Sequence, residues 1–268
     1  MSTFSRLVRA CHPEPTAAVT GLAAALAASV DASPWKVGAA FLSGQLSVGW
    51  SNDWVDAERD TAVGRADKPV VQGLPVPTVR AAALTALLAC VPLSLLMGAW
   101  AGAAHLVAVA SAWLYNARLK STVLSFAPYA LSFGLVPSVV TLGLPGQPAA
   151  PWWATAAGAL LGVGAHGANV LPDLEDDLAT GVRGLPHRLG RRATSALAGL
   201  ALVTATVLLA VGPGTSVLGT VAVGLAVAVF GAGLAVGARP GSRAPFLAVI
   251  VVAAVDVGLL LLRGASLA

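Results

Sequence analysis

Long apolar segments make up most of this chain, and they set the strongest limit on its fold. Crossing the hydrocarbon core of a bilayer takes roughly 20 apolar residues in a helix, or about 17 at the short end. Nine candidate segments cover residues 16–32, 36–52, 78–97, 99–117, 122–142, 152–171, 193–211, 216–237 and 244–262. Only 10% of the residues are charged, whereas soluble domains average about 25%. The sequence therefore predicts an all-α integral membrane protein with nine transmembrane helices in a single domain, residues 1–268.

The basic residues predict how these segments are oriented. With nine spans, all of the 16 lysines and arginines except Lys36 and Arg263 fall on one side of the membrane, including the loop from Arg239 to Arg243. Cytoplasmic loops are enriched in Lys and Arg, so we predict a cytoplasmic N-terminus and an external C-terminus. In a soluble protein a net charge of +4 would favour nucleic acid. Here the bases flank apolar segments, so membrane lipids are the expected partner and nucleic acid is not.

A short polar pattern occurs twice, and it is the main pointer to function. The two copies, 117 positions apart, are Asn52, Asp56, Asp60, Gly64, Pro69, Gly73 and Asn169, Asp173, Asp177, Gly181, Pro186, Gly190. Residues four apart on a helix lie on one face. Each copy is therefore predicted to place an amide and two carboxylates on one helix face, with a glycine at the helix end. Facing each other across the bundle at its cytoplasmic side, the copies would form one pocket with pseudo-twofold symmetry.

The acidic residues of the two copies predict a site for a divalent cation. Most of the 12 acids of the chain fall in these stretches, and carboxylates this crowded require a positive partner. Acids near a membrane are costly and usually functional. Oxygen ligands suit Mg²⁺, which often bridges to substrate phosphates. The predicted metal ligands are Asn52, Asp56, Asp60, Asp173 and Asp177.

Basic and polar side chains on the same side could contact a diphosphate held by such ions. The candidates are Arg65, Lys68, Arg118, Lys120 and Arg183. Each of them also has a simpler interpretation as a positive-inside residue, and Tyr115 as an interfacial anchor. These alternatives stay open at the level of the sequence.

The motifs resemble those of the UbiA superfamily of intramembrane prenyltransferases. The first family signature, N-D-x-x-D-x-x-x-D, is matched by Asn52, Asp53, Asp56 and Asp60, and a following R-x-x-[RK]-P element by Arg65, Lys68 and Pro69. The second signature, D-x-E-x-D-x-x-x-G, is matched by Asp173, Glu175, Asp177 and Gly181. The family's Y-x-x-x-K element differs in spacing, because Tyr115 is followed by Arg118 and Lys120, and we assign the lysine role to Lys120. Gly184 stands where the family usually has a threonine before Leu185-Pro186.

This resemblance implies a helical bundle around a central cavity, and Mg²⁺-dependent transfer of a prenyl group from an isoprenoid diphosphate to an acceptor. The acceptor classes are an aromatic compound, a quinone precursor or a lipid-like molecule. The implied catalytic residues are Asp56, Asp60, Asp173, Asp177 and Lys120. The implied substrate-binding residues are Asn52, Arg65, Lys68, Tyr115, Asn116, Asn169 and Arg183. The chemistry agrees, because a leaving diphosphate needs charge stabilisation and an allylic cation needs a water-free cavity.

Two other functions share parts of the pattern. A terpene cyclase of the same superfamily would ionise the same diphosphate and let the cation close on itself, and the motifs do not separate the two reactions. A secondary carrier for an anionic metabolite also has internal repeats and charges within the membrane. Carriers place their charges near the bilayer centre, whereas these acids cluster at one face, so the carrier is the weaker alternative.

Overall fold

The protein is helical throughout the part described by the structure, a computed structural model that covers residues 2–236 and 242–267. The helices are α1 (Thr3–Ala10), α2 (Pro13–Ser29), α3 (Pro34–Ala62), α4 (Val76–Leu95), α5 (Ala99–Ala117), α6 (Ala127–Thr141), α7 (Trp152–Val170), α8 (Leu174–Ala179), α9 (Leu185–Val211), α10 (Val217–Val236) and α11 (Ala244–Leu262). No β-strand occurs in these residues, which confirms the prediction of an all-α protein. Arg239 of the basic loop and the last residue of the predicted segment 216–237 lie outside the described residues.

Each predicted apolar segment coincides with one of the long helices, although several ends differ. Helix α3 does not end at residue 52 but continues through the first acidic motif to Ala62. Helix α9 begins at Leu185 and contains a break at Gly190 (φ 77°, ψ 168°), after which it covers the predicted segment 193–211. Among the described residues, α4, α9, α10 and α11 are long and apolar enough to cross a membrane, and α6 is a shorter apolar helix. The remaining spans stay predictions.

The internal repeat extends from the motifs to the helices. A shift of 117 residues places α3 on α7 and α8, α4 on α9, α5 on α10 and α6 on α11. The contacts follow the same rule, because α3 packs on α4 as α7 packs on α9, and α5 packs on α6 as α10 packs on α11. Helix α2 contacts α3, α6 and α11, so it joins the two halves.

Small residues allow two of the cavity-forming helices, α6 and α7, to pack closely. A Cβ atom on Gly158 of α7 would lie 2.6 Å from the Phe133 carbonyl oxygen of α6. Gly162, one turn further along α7, faces the Tyr129 carbonyl oxygen in the same way, and an added Cβ would overlap with it. Glycine at such contacts lets two helix backbones approach in a membrane. The close contact places Tyr129 and Asn169 on the wall of one cavity.

Large apolar side chains cover the outer faces of the helices. Leu88 of α4 is 73% exposed, Leu200 of α9 is 58% exposed and Val217 of α10 is 83% exposed. Soluble monomers rarely expose apolar surface of this extent. The outer faces are therefore suited to contact with lipid chains.

Candidate active site

A cavity of about 380 Å³ lies between α2, α3, α5, α6 and α7. Charged and amide side chains line one end, namely Asn52, Asp56, Arg59, Arg65, Lys68, Asn116, Lys120, Asn169, Asp173 and Asp177. Apolar side chains that include Phe41, Val109 and Val136 line the rest. Phe41 precedes Asp56 by 15 residues on α3, so the two lie roughly 22 Å apart along the helix axis at about 1.5 Å per residue. The cavity therefore joins a charged mouth to a long apolar interior.

The first acidic motif lies on α3, as predicted, with Asn52 and Asp56 on the cavity wall. The Asp56 carboxylate contacts the Lys120 ammonium and accepts from Arg59 at 3.0 Å. Asp60, one turn further on, is only 1% exposed and lies outside the cavity lining. The Arg59 guanidinium lies close to it, with Nη2 3.6 Å from Oδ1, and Lys68 also attracts the Asp60 carboxylate. Neither Asp60 carboxylate oxygen has a hydrogen-bond partner within residues 2–236 and 242–267.

Glycine ends the first motif and turns the chain back over the cavity. Gly64 has φ 69°, and the backbone N–H groups of Gly64 and Arg65 donate to the carbonyls of Thr61 and Asp60 at 3.2 and 3.0 Å. This pair of bonds is a Schellman cap, which requires a left-handed residue that glycine adopts without steric cost. The loop that follows carries Arg65 and Lys68 to the cavity wall.

The second acidic motif is not on one continuous helix, so that prediction is wrong. Asn169 lies near the end of α7, Asp173 is the residue before α8, and Asp177 lies on α8. Pro172 separates the two helices because proline lacks a backbone N–H and clashes with the preceding turn. All three polar residues nevertheless line the cavity. Helix α8 ends with the same Schellman cap as α3, with Gly181 at φ 83°.

The two motifs meet at the charged mouth through Arg65. Its guanidinium lies 3.9 Å from Asp173 and donates to Asp67 at 2.9 Å. The hydrogen bond from Arg65 holds the pKa of Asp67 below its usual range. The Asp177 carboxylate is 3.2 Å from the His187 ring nitrogen Nε2. The second motif is thus linked to Arg65 from the loop after α3 and to His187 of α9.

The amide and phenol candidates occupy the same wall. Asn116 is buried and donates to the Ser51 hydroxyl at 2.7 Å and to the Val48 carbonyl at 3.0 Å, while its own carbonyl oxygen accepts from Asn52 at 3.3 Å. Asn116 therefore orients Asn52. Tyr115 lines the cavity with its ring 5.2 Å from that of Tyr129, edge to face.

Of the predicted basic residues, Lys120 lines the cavity and Arg183 does not. Lys120 lies on a short 3-10 turn, Leu119–Ser121, and lines the cavity beside Asp56. Burial lowers the pKa of the Lys120 ammonium, and the Asp56 carboxylate opposes that effect. Arg183 is exposed and does not line the cavity. The geometry thus favours Lys120, and not Arg183, as a contact for an anion in the cavity.

The side chains at the charged mouth could hold a divalent cation only together with oxygen atoms from a bound substrate or water. No three His, Cys, Asp or Glu side chains in the part of the chain that the structure describes form a metal site by themselves. Mg²⁺ commonly takes one or two carboxylates and completes its shell with waters and substrate phosphates. The unbonded buried oxygens of Asp60 call for a positive partner, and Asp56 stands one turn away on the cavity wall. The residues therefore fit an ion that arrives with a phosphate group.

Several side chains at this mouth were not among the predicted site residues. Arg59 pairs with Asp56 and Asp60, and its position three residues after Asp56 is a usual helical ion-pair spacing that could have identified it. Asp53 is fully buried and accepts from Lys68 at 3.0 Å and from His12 at 3.1 Å. No spacing rule predicts the contacts of His12 or His187, because their partners come from other helices.

The apolar end of the cavity is closed by a ring pair. The Phe41 and His105 ring centroids lie 4.4 Å apart, and both side chains are almost fully buried. The Ser94 hydroxyl of α4 is 2.8 Å from His105 Nδ1 and fixes the imidazole. This pair forms the floor of the cavity.

A helical protein with four helices long and apolar enough to cross a bilayer, and with a cavity that joins an acid-lined mouth to an apolar interior, is an integral membrane protein. The sequence model of the UbiA prenyltransferase family matches residues 16–261. The chain therefore belongs to the UbiA prenyltransferase family. None of the curated proteins compared with the chain matches it.

Solved structures share the fold over nearly the whole chain. A UbiA homolog from Aeropyrum pernix K1, solved in the apo state, is 18% identical, with a TM-score of 0.70 over 93% of this chain and 98% of that one. A UbiA homolog from Archaeoglobus fulgidus, bound to GPP and Mg²⁺, is 17% identical, with a TM-score of 0.66 over 99% and 100%. A digeranylgeranylglyceryl phosphate synthase is 14% identical, with a TM-score of 0.67 over 99% and 98%. At these identities the likeness establishes the fold.

Proposed function

We propose that the protein transfers a prenyl group from an isoprenoid diphosphate to an acceptor within the membrane, with Mg²⁺ at the charged mouth. The observation that carries the proposal is the single cavity that joins both acidic motifs to an apolar interior. Structures of the Archaeoglobus fulgidus homolog with GPP and with DMAPP, each with Mg²⁺, support this class of ligand.

The proposed head-group site uses both halves of the repeat. Its metal ligands are Asn52, Asp56, Asp60, Asp173 and Asp177. When bound, Mg²⁺ would neutralise the diphosphate and stabilise the charge that develops on it as it leaves. Lys120 and Arg65 donate charge-assisted hydrogen bonds to the same oxygens, and Lys68 and Asn169 complete the wall around them.

The apolar interior receives the hydrocarbon tail and keeps water from the reactive carbon. Loss of the diphosphate from an allylic carbon leaves a cation that water would capture, so the enclosing helices protect it. The π-face of Tyr115, beside the charged mouth, offers that cation an electrostatic partner. The acceptor then supplies the electron pair for the new bond.

The proposal is tested by product analysis. Purified protein is incubated with Mg²⁺ and geranyl, farnesyl or geranylgeranyl diphosphate, with or without a membrane lipid extract as the source of acceptor. A prenylated product that requires the extract supports transfer. A cyclic hydrocarbon formed without the extract would instead assign a terpene cyclase, and uptake into vesicles with no diphosphate released would assign a carrier.

Substitutions test the metal ligands. Asp56→Ala and Asp173→Ala should each lower Mg²⁺-dependent diphosphate release by at least about 100-fold, because each removes charge from the ionising step. Glu58→Ala is the matched control, since Glu58 is exposed on α3 and does not line the cavity. Normal turnover of either aspartate variant would remove that residue from the proposal.

We further propose that the nine predicted spans all cross the membrane as one domain, with the N-terminus and the charged mouth in the cytoplasm. Ala66 and Pro145 are exposed and lie on opposite sides in this topology. In right-side-out cells, a membrane-impermeant thiol reagent should label Pro145→Cys and not Ala66→Cys. The natural residues Cys11 and Cys90 are buried and should give little background. The reverse labelling pattern would invert the topology.

A further inference from the structure

The turn between α1 and α2 holds a histidine in an unusual backbone conformation at the cavity. His12 has φ 54° and ψ 70°, in the left-handed region that non-glycine residues rarely adopt. Among the described residues, Asp31 and Gln147 also have positive φ, but only His12 lines the cavity. Strained residues that the surrounding structure holds in place are concentrated at functional sites.

Several contacts hold this turn against α3. The Cys11 carbonyl lies directly over Gly49, where an added Cβ would be 2.6 Å from the carbonyl carbon. The Thr16 hydroxyl donates to the same carbonyl oxygen at 2.8 Å, and the Trp50 indole donates to the Leu7 carbonyl at 2.8 Å. The position of His12 is therefore set by the backbone around it and not by its own side chain alone.

The His12 imidazole has one nitrogen oriented and one free to accept a proton. Nε2 lies 3.1 Å from the Asp53 carboxylate, which is fully buried and does not line the cavity. An ionised carboxylate only accepts, so Nε2 carries the hydrogen, and in the neutral imidazole Nδ1 has the lone pair. Within residues 2–236 and 242–267, no hydrogen bond involves Nδ1, and the side chain is 40% exposed.

The histidine stands beside the proposed head-group site. Its partner Asp53 precedes Asp56 by three residues on α3, a rise of about 4.5 Å. Lys68 donates to the same Asp53 oxygen as His12, at 3.0 Å, and also lines the cavity. His12 therefore lines the cavity close to the level of Asp56, where the proposed donor would lose its diphosphate.

Resting on the proposed function, we propose that His12 is the general base that removes the proton of the acceptor, with Asp53 as its orienting residue. The C–O electron pair of the donor leaves with the diphosphate. An electron pair of the acceptor forms the new bond to the allylic carbon, and the acceptor's proton moves to His12 Nδ1. The imidazolium is stabilised by Asp53 and returns its proton to water at the exposed edge of the ring.

Two variants separate a base from a structural residue. Asparagine tolerates the left-handed conformation and can donate to Asp53, but it has no basic nitrogen. His12→Asn should therefore lower acceptor-dependent product formation by about 100- to 10,000-fold, the usual contribution of a general base. Slow Mg²⁺-dependent hydrolysis of geranyl diphosphate without acceptor, in which water captures the allylic cation and loses its proton to bulk solvent, should remain, because ionisation does not use His12.

Glycine also adopts the left-handed backbone conformation of residue 12, and its lack of a side chain leaves a cavity in place of the imidazole. In His12→Gly, added imidazole should restore product formation with the lipid extract while leaving the acceptor-free reaction unchanged. Trp50→Phe is the structural control, because it weakens the anchor of the turn and keeps the base. It should lower both reactions and the thermal stability together.

The outcomes are distinct. Near-normal product formation by His12→Asn would overturn the role of His12 as a base. An equal loss of the acceptor-dependent and the acceptor-free reaction in this variant would also overturn it. So would a His12→Gly variant whose product formation imidazole does not restore. If the unmodified protein forms no product that depends on the lipid extract, the proposed transfer itself fails, and the base proposal fails with it.

Discussion

Replacing Asp60 by asparagine should make the metal-free protein more stable and remove its response to Mg²⁺ and diphosphate. Both Asp60 carboxylate oxygens are buried without a hydrogen bond within the described residues. Attraction to Lys68 and the 3.6 Å contact with Arg59 offset only part of the cost. Lys68 donates to Asp53 at 3.0 Å, and Arg59 pairs with Asp56 at 3.0 Å. The Asp60 carboxylate is therefore expected to destabilise the metal-free fold.

The size of the effect follows from the change in charge. A buried ion costs several kcal/mol after relaxation, and a buried amide without partners costs about 1–3 kcal/mol. Substitution removes the cost of the buried charge, and it also removes the attraction to Lys68 and Arg59. The net gain in the free energy of unfolding is then about 1–3 kcal/mol. At roughly 2–4 °C per kcal/mol for a chain of this size, Tm should rise by about 2–12 °C.

The assay is thermal unfolding in detergent, with and without Mg²⁺ and inorganic pyrophosphate. A ligand at 100 times its Kd stabilises the unmodified protein by about 2.7 kcal/mol, and Asp60→Asn should lose most of that shift. Glu58→Gln removes one charge from an exposed position of the same helix and should change neither result. A metal-free Asp60→Asn protein with a lower Tm, or an undiminished shift with Mg²⁺ and pyrophosphate, would refute the reasoning.

Three further predictions follow from the cavity. Lys120→Met should lower kcat by about 100-fold or more, because the leaving group loses a charged donor, whereas exposed Arg118→Met should leave steady-state turnover unchanged. Gly49→Ala should destabilise the protein by about 1–3 kcal/mol in thermal unfolding through overpacking, while Gly38→Ala, whose Cβ meets only a methyl group at 3.6 Å, should not. Phe41→Ala opens the cavity floor and should raise the ratio of turnover with geranylgeranyl diphosphate to that with geranyl diphosphate; an unchanged ratio would contradict this.

The helices could be predicted because only helices and closed barrels satisfy the backbone in lipid, and long apolar segments mark where such helices lie. Their ends were harder to predict. Helix α3 passes the end of its apolar segment, since no breaker occurs between Asn52 and the capping residue Gly64. In the second motif the equivalent stretch contains Pro172, which ends the helix. Because the two motifs match residue by residue, we predicted one continuous helix for both and missed this break.

Many of the residues that meet at the cavity could be predicted, but their partners could not. Internal repetition identified Asp56 and Asp173 without any knowledge of the fold, because scarce residues rarely match at one constant offset by chance. The hydrogen bond between His12 and Asp53 joins residues 41 positions apart through a left-handed turn. Local sequence carries no signal for such a contact, which depends on how α2 packs on α3.

The break at Pro172 has a consequence for how the two halves can be compared. Asp60 and Asp177 occupy equivalent places in the repeat, yet Asp60 is enclosed without a hydrogen bond within the described residues, while Asp177 is partly exposed beside His187. The two motifs have the same residue types at equivalent positions, but the surroundings of these residues differ. A mutational result obtained in one half therefore cannot be transferred to its counterpart, and an engineered swap of the two motifs would exchange their residues without exchanging their properties.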